Sequence, residues 1–522
     1  MCRMGPEFLA AQSTTARVWV VAFAAGFACA SVASAAAGLS GPATLAPAEL
    51  NADVDVLEQA YRELHPGLLR YLTPRQLDQS LRALRGEFDR PRTLASAYLA
   101  FAAFAAKIRC GHTYANFFNQ SRAIQQALFE QSPKLPFYFR WIDGKMVITR
   151  DFTAAAVLPA GTEVRRINGI ETGKILARLL PLARADGGNA AKRTDQLNVT
   201  GDSVYEPFDV YFPLVFAIDP GPLRLAVRLP GAEVERALSV TTLTYAQRIE
   251  PISARESGRR GGTEELFEWR DRADGSGYLR MPTWAVFDSK WAWRPWLNDR
   301  LDGLSRRNAP ALIVDLRGNE GGEDVGDEIL KRLVDRELPL AGLKRLVRYR
   351  AVPQDLLPYL HTWDPGFKDW GTDARDLDRP WPTAPPVHYF ALVGADPAVD
   401  ARTVIHPLQP RFAGRLFVLV DAANSSATFQ FAQVVQQLGL GTLVGEPTGG
   451  NRRGINGGAF FFLQLPHSGI EMDLPLIGTF PRTWQPDAGL IPDVVVPVTA
   501  ASIAAHADPA MDAVERLLAQ KR

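Results

Sequence analysis

The stretch that most narrows the folds open to this chain is residues 415–451, RLFVLVDAANSSATFQFAQVVQQLGLGTLVGEPTGGN. Residues 416–420 are an unbroken apolar run and read as a short buried strand. Residues 421–424 are small and polar, so that strand ends in a turn. After the pair Ser425 and Ser426, residues 427–438 read as a helix, because Phe431, Val434, Val435 and Leu438 recur at helical spacing. Gly439 and Gly441 close it, residues 442–444 start a second strand, and GEPTGG forms a glycine-rich loop. A serine between a buried strand and a helix N-terminus can serve as an ordinary N-cap of a βαβ unit. It is also well placed for nucleophilic chemistry, since the unpaired N–H groups of the first helical turn can stabilise an oxyanion.

A second segment, residues 311–322, reads ALIVDLRGNEGG. Residues 312–316 are another buried strand, running into Arg317, Gly318, Asn319 and the pair Gly321 and Gly322. Strand, DLRGN, GG and helix, followed by strand, SSAT, helix and GEPTGG, resembles the tail-specific or C-terminal processing peptidases of family S41. The likeness is closest to the tricorn and interphotoreceptor retinoid-binding branch and spans roughly residues 95–500. It implies an α/β chain: a crotonase-like ββα catalytic domain, an N-terminal helical domain and a PDZ-like β-rich domain. The expected division is a signal peptide at 1–36, helical domain 45–130, PDZ-like domain and connecting strands 131–254, peptidase domain 263–505 and a C-terminal helix 506–522.

Charge excludes some partners. With 58 basic and 57 acidic residues the net charge is +1, so no bulk field draws the chain to nucleic acid or anionic lipid. No zinc-type Cys/His spacing, P-loop or dinucleotide fingerprint occurs, and the resemblance implies no metal or cofactor. Arg17, the apolar run 18–30 and Ala33-Ser34-Ala35 form an export signal with a cleavage site. Met4 is an alternative start, an uncleaved anchor is the competing reading of 18–37, and lipidation at Cys29 has a poor lead-in. Cleavage after Ala35 leaves Cys110 alone, no membrane span, and a periplasmic or secreted protein.

Helices are expected over 48–64, 73–88 and 93–108, with Pro74 suited to a first turn. The third empties into Arg109-Cys110-Gly111-His112-Thr113. Strands follow at 135–140, 146–149 and 163–167, then a helix at 170–180, matching the PDZ-like module, which either captures an extended peptide or only packs against the catalytic domain. Residues 184–208 read as a long loop over the site, 223–227 and 237–243 as strands, and 255–262 as a linker. Trp284, Trp291, Trp293 and Trp296 either line an apolar channel or pack in the core. Residues 345–411, rich in Pro, Trp and Asp, read as a lid or insertion.

The chemistry implied by the resemblance needs a hydroxyl, a base and oxyanion donors. Ser426 aligns with the family nucleophile, in the context Ser426-Ala427-Thr428, with Ser425 as the fallback. The processing branch places its basic lysine where Asn451 stands, and an amide cannot act as a base. Arg452 and Arg453 stay protonated. Gly111-His112-Thr113 matches an element whose histidine is the general base in the tricorn-like branch, so His112 fills the gap. For the acid that orients it, Asp487 is the first choice, with Glu471 and Asp473 as alternatives. The N–H groups of Gly322 and Ala427, with Gly321 beside them, are the expected oxyanion hole; family members often carry Glu where Phe429 stands. The expected function is an exported serine peptidase acting on peptides or proteins through an acyl-enzyme. The alternative is a non-catalytic binder of apolar ligand or peptide on the same scaffold, and an esterase would use the same residues.

Overall fold

The central sheet has six strands in the spatial order Val494–Val495, Thr442–Gly445, Arg415–Val420, Ala311–Asp315, Gly277–Arg280 and Glu268–Asp271. All neighbours run parallel except the last pair. Ala311–Asp315 is buried along its whole length and Arg415–Val420 from its second residue, as strands covered on both faces must be. One face carries the helices Trp293–Arg306, Gly326–Leu333 and Ser426–Gln437, whose apolar sides fill a core with Trp284, Val314 and Val418. The helix Pro509–Ala519 packs with Ile313, Phe417 and Leu419.

Register decides what meets at the sheet edge. Asp315 pairs with Leu419, so the strands Ala311–Asp315 and Arg415–Val420 end side by side. The DLRGNEGG and DAANSSA loops therefore leave at one carboxyl edge, where open α/β sheets place their sites.

This computed structural model describes residues 44–218, 221–256, 262–287, 289–339, 343–377, 387–392 and 404–520, with only the backbone for 253–256. The expected export signal and most of the expected linker at 255–262 lie outside the described residues. Thr44–Arg522 form one unit, and among the described residues no helix is long and apolar enough to cross a membrane.

Helices Pro47–Leu64, Pro74–Glu87 and Leu94–Lys107 occupy the expected N-terminal positions, the second capped by Thr73 with Pro74 in its first turn. A third sheet joins Phe137–Ile142, Lys145–Asp151, Glu163–Ile167, Pro222–Arg228 and Arg236–Thr241 in that order, with Ile170–Glu171 beside Glu163–Ile167.

Two expectations need correcting, and one pair of alternatives is decided. Residues 184–208 are not all loop, because Asn189 caps the helix Ala190–Asp195. Residues 345–411 are not simply a lid: Leu360–His361, Ala374–Asp376 and Phe390–Leu392 belong to a second, antiparallel six-stranded sheet with Leu343–Val347, Asn456–Gln464 and Glu471–Pro481. Its long strand Glu471–Pro481 is buried at nearly every residue, so it lacks the alternation that marks a half-exposed strand. The tryptophans pack rather than line a channel. Trp284 is fully buried against Phe431, and Trp291 and Trp296 surround Phe267.

Candidate active site

Two buried asparagines hold the motif loops together. Asn424 donates to the carbonyls of Leu316 (2.6 Å) and Asn319 (3.0 Å), and its oxygen accepts the Asp421 N–H (2.8 Å). Asn319 donates to the Met281 carbonyl (2.8 Å) and accepts from the Gly321 N–H (2.9 Å). Thr428 Oγ1 donates to the carbonyls of Ser425 (2.8 Å) and Asn319 (3.0 Å). With both asparagine side chains bonded at nitrogen and oxygen, the backbone at the nucleophile has little freedom.

Within this clamp Ser426 has φ +52°, a left-handed conformation uncommon for a residue with a side chain. Strain of this kind concentrates at functional sites. Ser425, the extended residue before it, spends its hydroxyl on the Glu320 and Ala423 carbonyls. Gly321 abuts the turn: a Cβ there would lie 2.9 Å from the Ser426 Cβ and 3.0 Å from the Ala427 nitrogen. Gly322, at φ +139°, has no room for a Cβ, which would meet the Trp284 backbone at 2.2 Å. Among the described residues neither the Gly322 nor the Ala427 N–H has a protein acceptor.

His112 lies beyond the end of helix Leu94–Lys107, after Arg109 turns the chain at φ +58°. His112, Ser425, Ser426, Gly321 and Gly322 all line one cavity of about 1150 Å³. The imidazole lies 5.8 Å from the Phe460 ring, and its buried Nδ1 has no hydrogen-bond partner among the described residues. Burial lowers its pKa below the usual imidazole value. Asp186 and Glu320 work the other way, against Arg184 and Lys192.

These four charged groups were not anticipated from sequence. Asp186 accepts the Gly111 N–H (2.8 Å), and Arg184 donates to the Gly111 carbonyl, so their loop is zipped onto the histidine turn. The buried Lys192 Nζ contacts Glu320 (2.5 Å) and the Ala423 carbonyl (2.8 Å), linking the two motif loops. Burial tends to raise the Glu320 pKa, but Lys192 and Arg184 outweigh it and hold the carboxyl at about 2. The one signal in the sequence was the acid between Asn319 and Gly321; nothing in local spacing marked Asp186 or Lys192.

Asp487 sits elsewhere. It accepts from the Asn451 amide (2.7 Å) and the Gly188 N–H (2.8 Å). It is not among the charges bearing most on the imidazole and does not line the cavity. Asp473 lines the cavity but is held by Asn116 (2.7 Å) and Asn119 (2.9 Å). Burial raises its pKa to about 7. Burial likewise raises Glu471 to about 7, with Asp473 adding to it, and Glu471 is not among the charges acting most on His112. Asn451 is fully buried and donates to the Asp186 carbonyl (3.1 Å), tethering the loop that faces His112. Phe429 packs against Gly450 in the same loop.

Residues 275–461, which carry both motifs, match the family model described as Peptidase family S41. Residues 275–461 therefore form a peptidase family S41 domain. The match supports a serine-type peptidase, and the family implies a peptide or protein substrate. Among solved structures, mature CPAF complexed with lactacystin is similar in fold, with TM-score 0.59 and 16% identity over 90% of this chain and 98% of that one. Mature CPAF alone gives TM-score 0.56 and 16% identity over 90% and 96%. The photosystem II D1 C-terminal processing protease aligns with TM-score 0.37 and 15% identity over 86% and 92%. No curated protein sequence matches the peptidase.

Proposed function

We propose that the chain is an exported serine endopeptidase in which Ser426 is the nucleophile and His112 its general base, replacing a Ser/Lys dyad. The observation that carries the reading is a strained Ser426 opening into the cavity that His112 also lines. His112 takes the Ser426 proton as Oγ attacks the peptide carbonyl. The oxyanion is received by the N–H groups of Gly322 and Ala427. The imidazolium then gives its proton to the leaving amine, the C–N bond breaks, and an acyl-enzyme remains. Water, deprotonated by His112, attacks the ester and releases Ser426.

Asp186 is the positioning carboxylate for the imidazole in this reading. It is bonded to the residue next to His112 and favours the charged imidazole formed during reaction. Asp487 acts one step further out, holding Asn451 and through it the Asp186 loop. The parallel sheet with helices around the motif loops supports a crotonase-like catalytic domain. The six-stranded antiparallel sheet around Glu163–Ile167, with a short helix at Thr172–Leu179, supports a PDZ-like module. The apolar run and Ala33-Ser34-Ala35 support export to the periplasm or beyond.

The test is labelling by a serine-directed fluorophosphonate. Reaction lost in Ser426→Ala and retained in Ser425→Ala supports the assignment; reaction retained in Ser426→Ala defeats it.

A further inference from the structure

Beyond the catalytic groups, the cavity has an aromatic wall beside His112 that the mechanism does not use. Resting on the proposed roles of Ser426 and His112, we infer that this wall is the subsite for a large apolar side chain on the residue just after the scissile bond. Whichever group protonates the leaving amine must lie next to it, so the departing half of the substrate passes the imidazole. Phe460 is the ring adjacent to His112, at 5.8 Å. Trp363 continues the wall, 6.0 Å from Phe460 and 5.8 Å from Phe462.

The strand Asn456–Gln464 is built to present this surface. Phe461 and Leu463 point into the core, so Phe460 and Phe462 share the opposite face. The register against Glu471–Pro481 slips between Gly457 and Phe460, and such a bulge re-aims the side chains that follow it. Gly457 places the start of this strand beside the imidazole, its Cβ position 3.8 Å from the His112 ring. Trp363 is 49% exposed and Phe118 40% exposed, and both line the cavity. Large apolar rings left open within a cleft mark a surface that gains by being covered. A Phe, Tyr or Leu side chain laid on Phe460 and Trp363 would bury it, continuous with the catalytic cleft.

The experiment uses the mature chain and a peptide mixture varied at the residue after the cleaved bond, with cleavage sites read by mass spectrometry. Wild type should favour Phe, Tyr and Leu over Ala and Gly there. Phe460→Leu and Trp363→Ala should each reduce the Phe-to-Ala ratio of kcat/KM by about tenfold or more, the scale of a lost apolar contact. Both variants should still react with the fluorophosphonate, showing that Ser426 is intact. No apolar preference in wild type, or equal loss on both peptides with labelling retained, overturns the subsite. Absence of labelling in wild type overturns instead the catalytic reading on which it rests.

Discussion

The two halves of the proposed catalytic site are built in opposite ways. The nucleophile half rests on a sheet edge and on bonds to the backbone: two adjacent parallel strands end together, and the Asn319 and Asn424 side chains clasp the turns that follow. The imidazole half is assembled at long range from side chains. The Gly111 backbone beside His112 is held by Arg184 and Asp186, their loop is held by Asn451, and Asn451 by Asp487. A backbone device fixes geometry whatever the pH, whereas a charged relay also sets when the base is free. The contrast teaches where damage should be total and where it should be graded.

Breaking the nucleophile half should have the largest effect. Ser426→Ala should lower kcat on the order of 10⁴-fold or more, measured by peptide hydrolysis, because members of a nucleophile–base unit are lost together. Gly322→Ala should come next. Its Cβ would strike the Trp284 backbone, and loss of one oxyanion donor costs about 10²–10³-fold in kcat. Asn424→Ala, with its three buried bonds gone, should lower stability by about 1–3 kcal/mol in denaturant unfolding.

The imidazole half should respond by degrees. Burial lowers the His112 pKa, so the neutral base should already be present at mildly acidic pH, and activity should rise through an apparent pKa below the usual 6.5. Asp186 favours the charged imidazole; its replacement in Asp186→Asn should move that limb to still lower pH and reduce kcat by roughly ten- to a hundredfold. Asp487→Asn should have the smallest effect, within about tenfold and with little movement of the pH limb, since it touches Asn451 and not the imidazole. A larger loss in Asp487→Asn than in Asp186→Asn would reverse the ranking and make Asp487 the orienting acid.

The same contrast explains what could be read from sequence. The strands Ala311–Asp315 and Arg415–Val420, and the serine turn after the second, announce themselves through apolar runs and glycines at fixed offsets. The left-handed φ of Ser426 follows from packing around those turns, and no residue type signalled it. Asn451 was legible as the loss of a lysine but not as the tether of a loop, because Asp186 is 265 residues away. Lys192 was hidden for the same reason, lying on a helix too short to declare itself. The strand Glu471–Pro481 of the second sheet gave no signal because burial on both faces leaves no period to read.

The central claim is that His112 activates Ser426, and the direct measurement is the pH dependence of Ser426 fluorophosphonate labelling in wild type and in His112→Ala. In wild type the rate should climb through one apparent pKa below 6.5, set by the buried imidazole. In His112→Ala that rise should vanish and labelling should fall to a trace. A His112→Ala protein that labels at the wild-type rate along the same curve would contradict the account and place the base elsewhere.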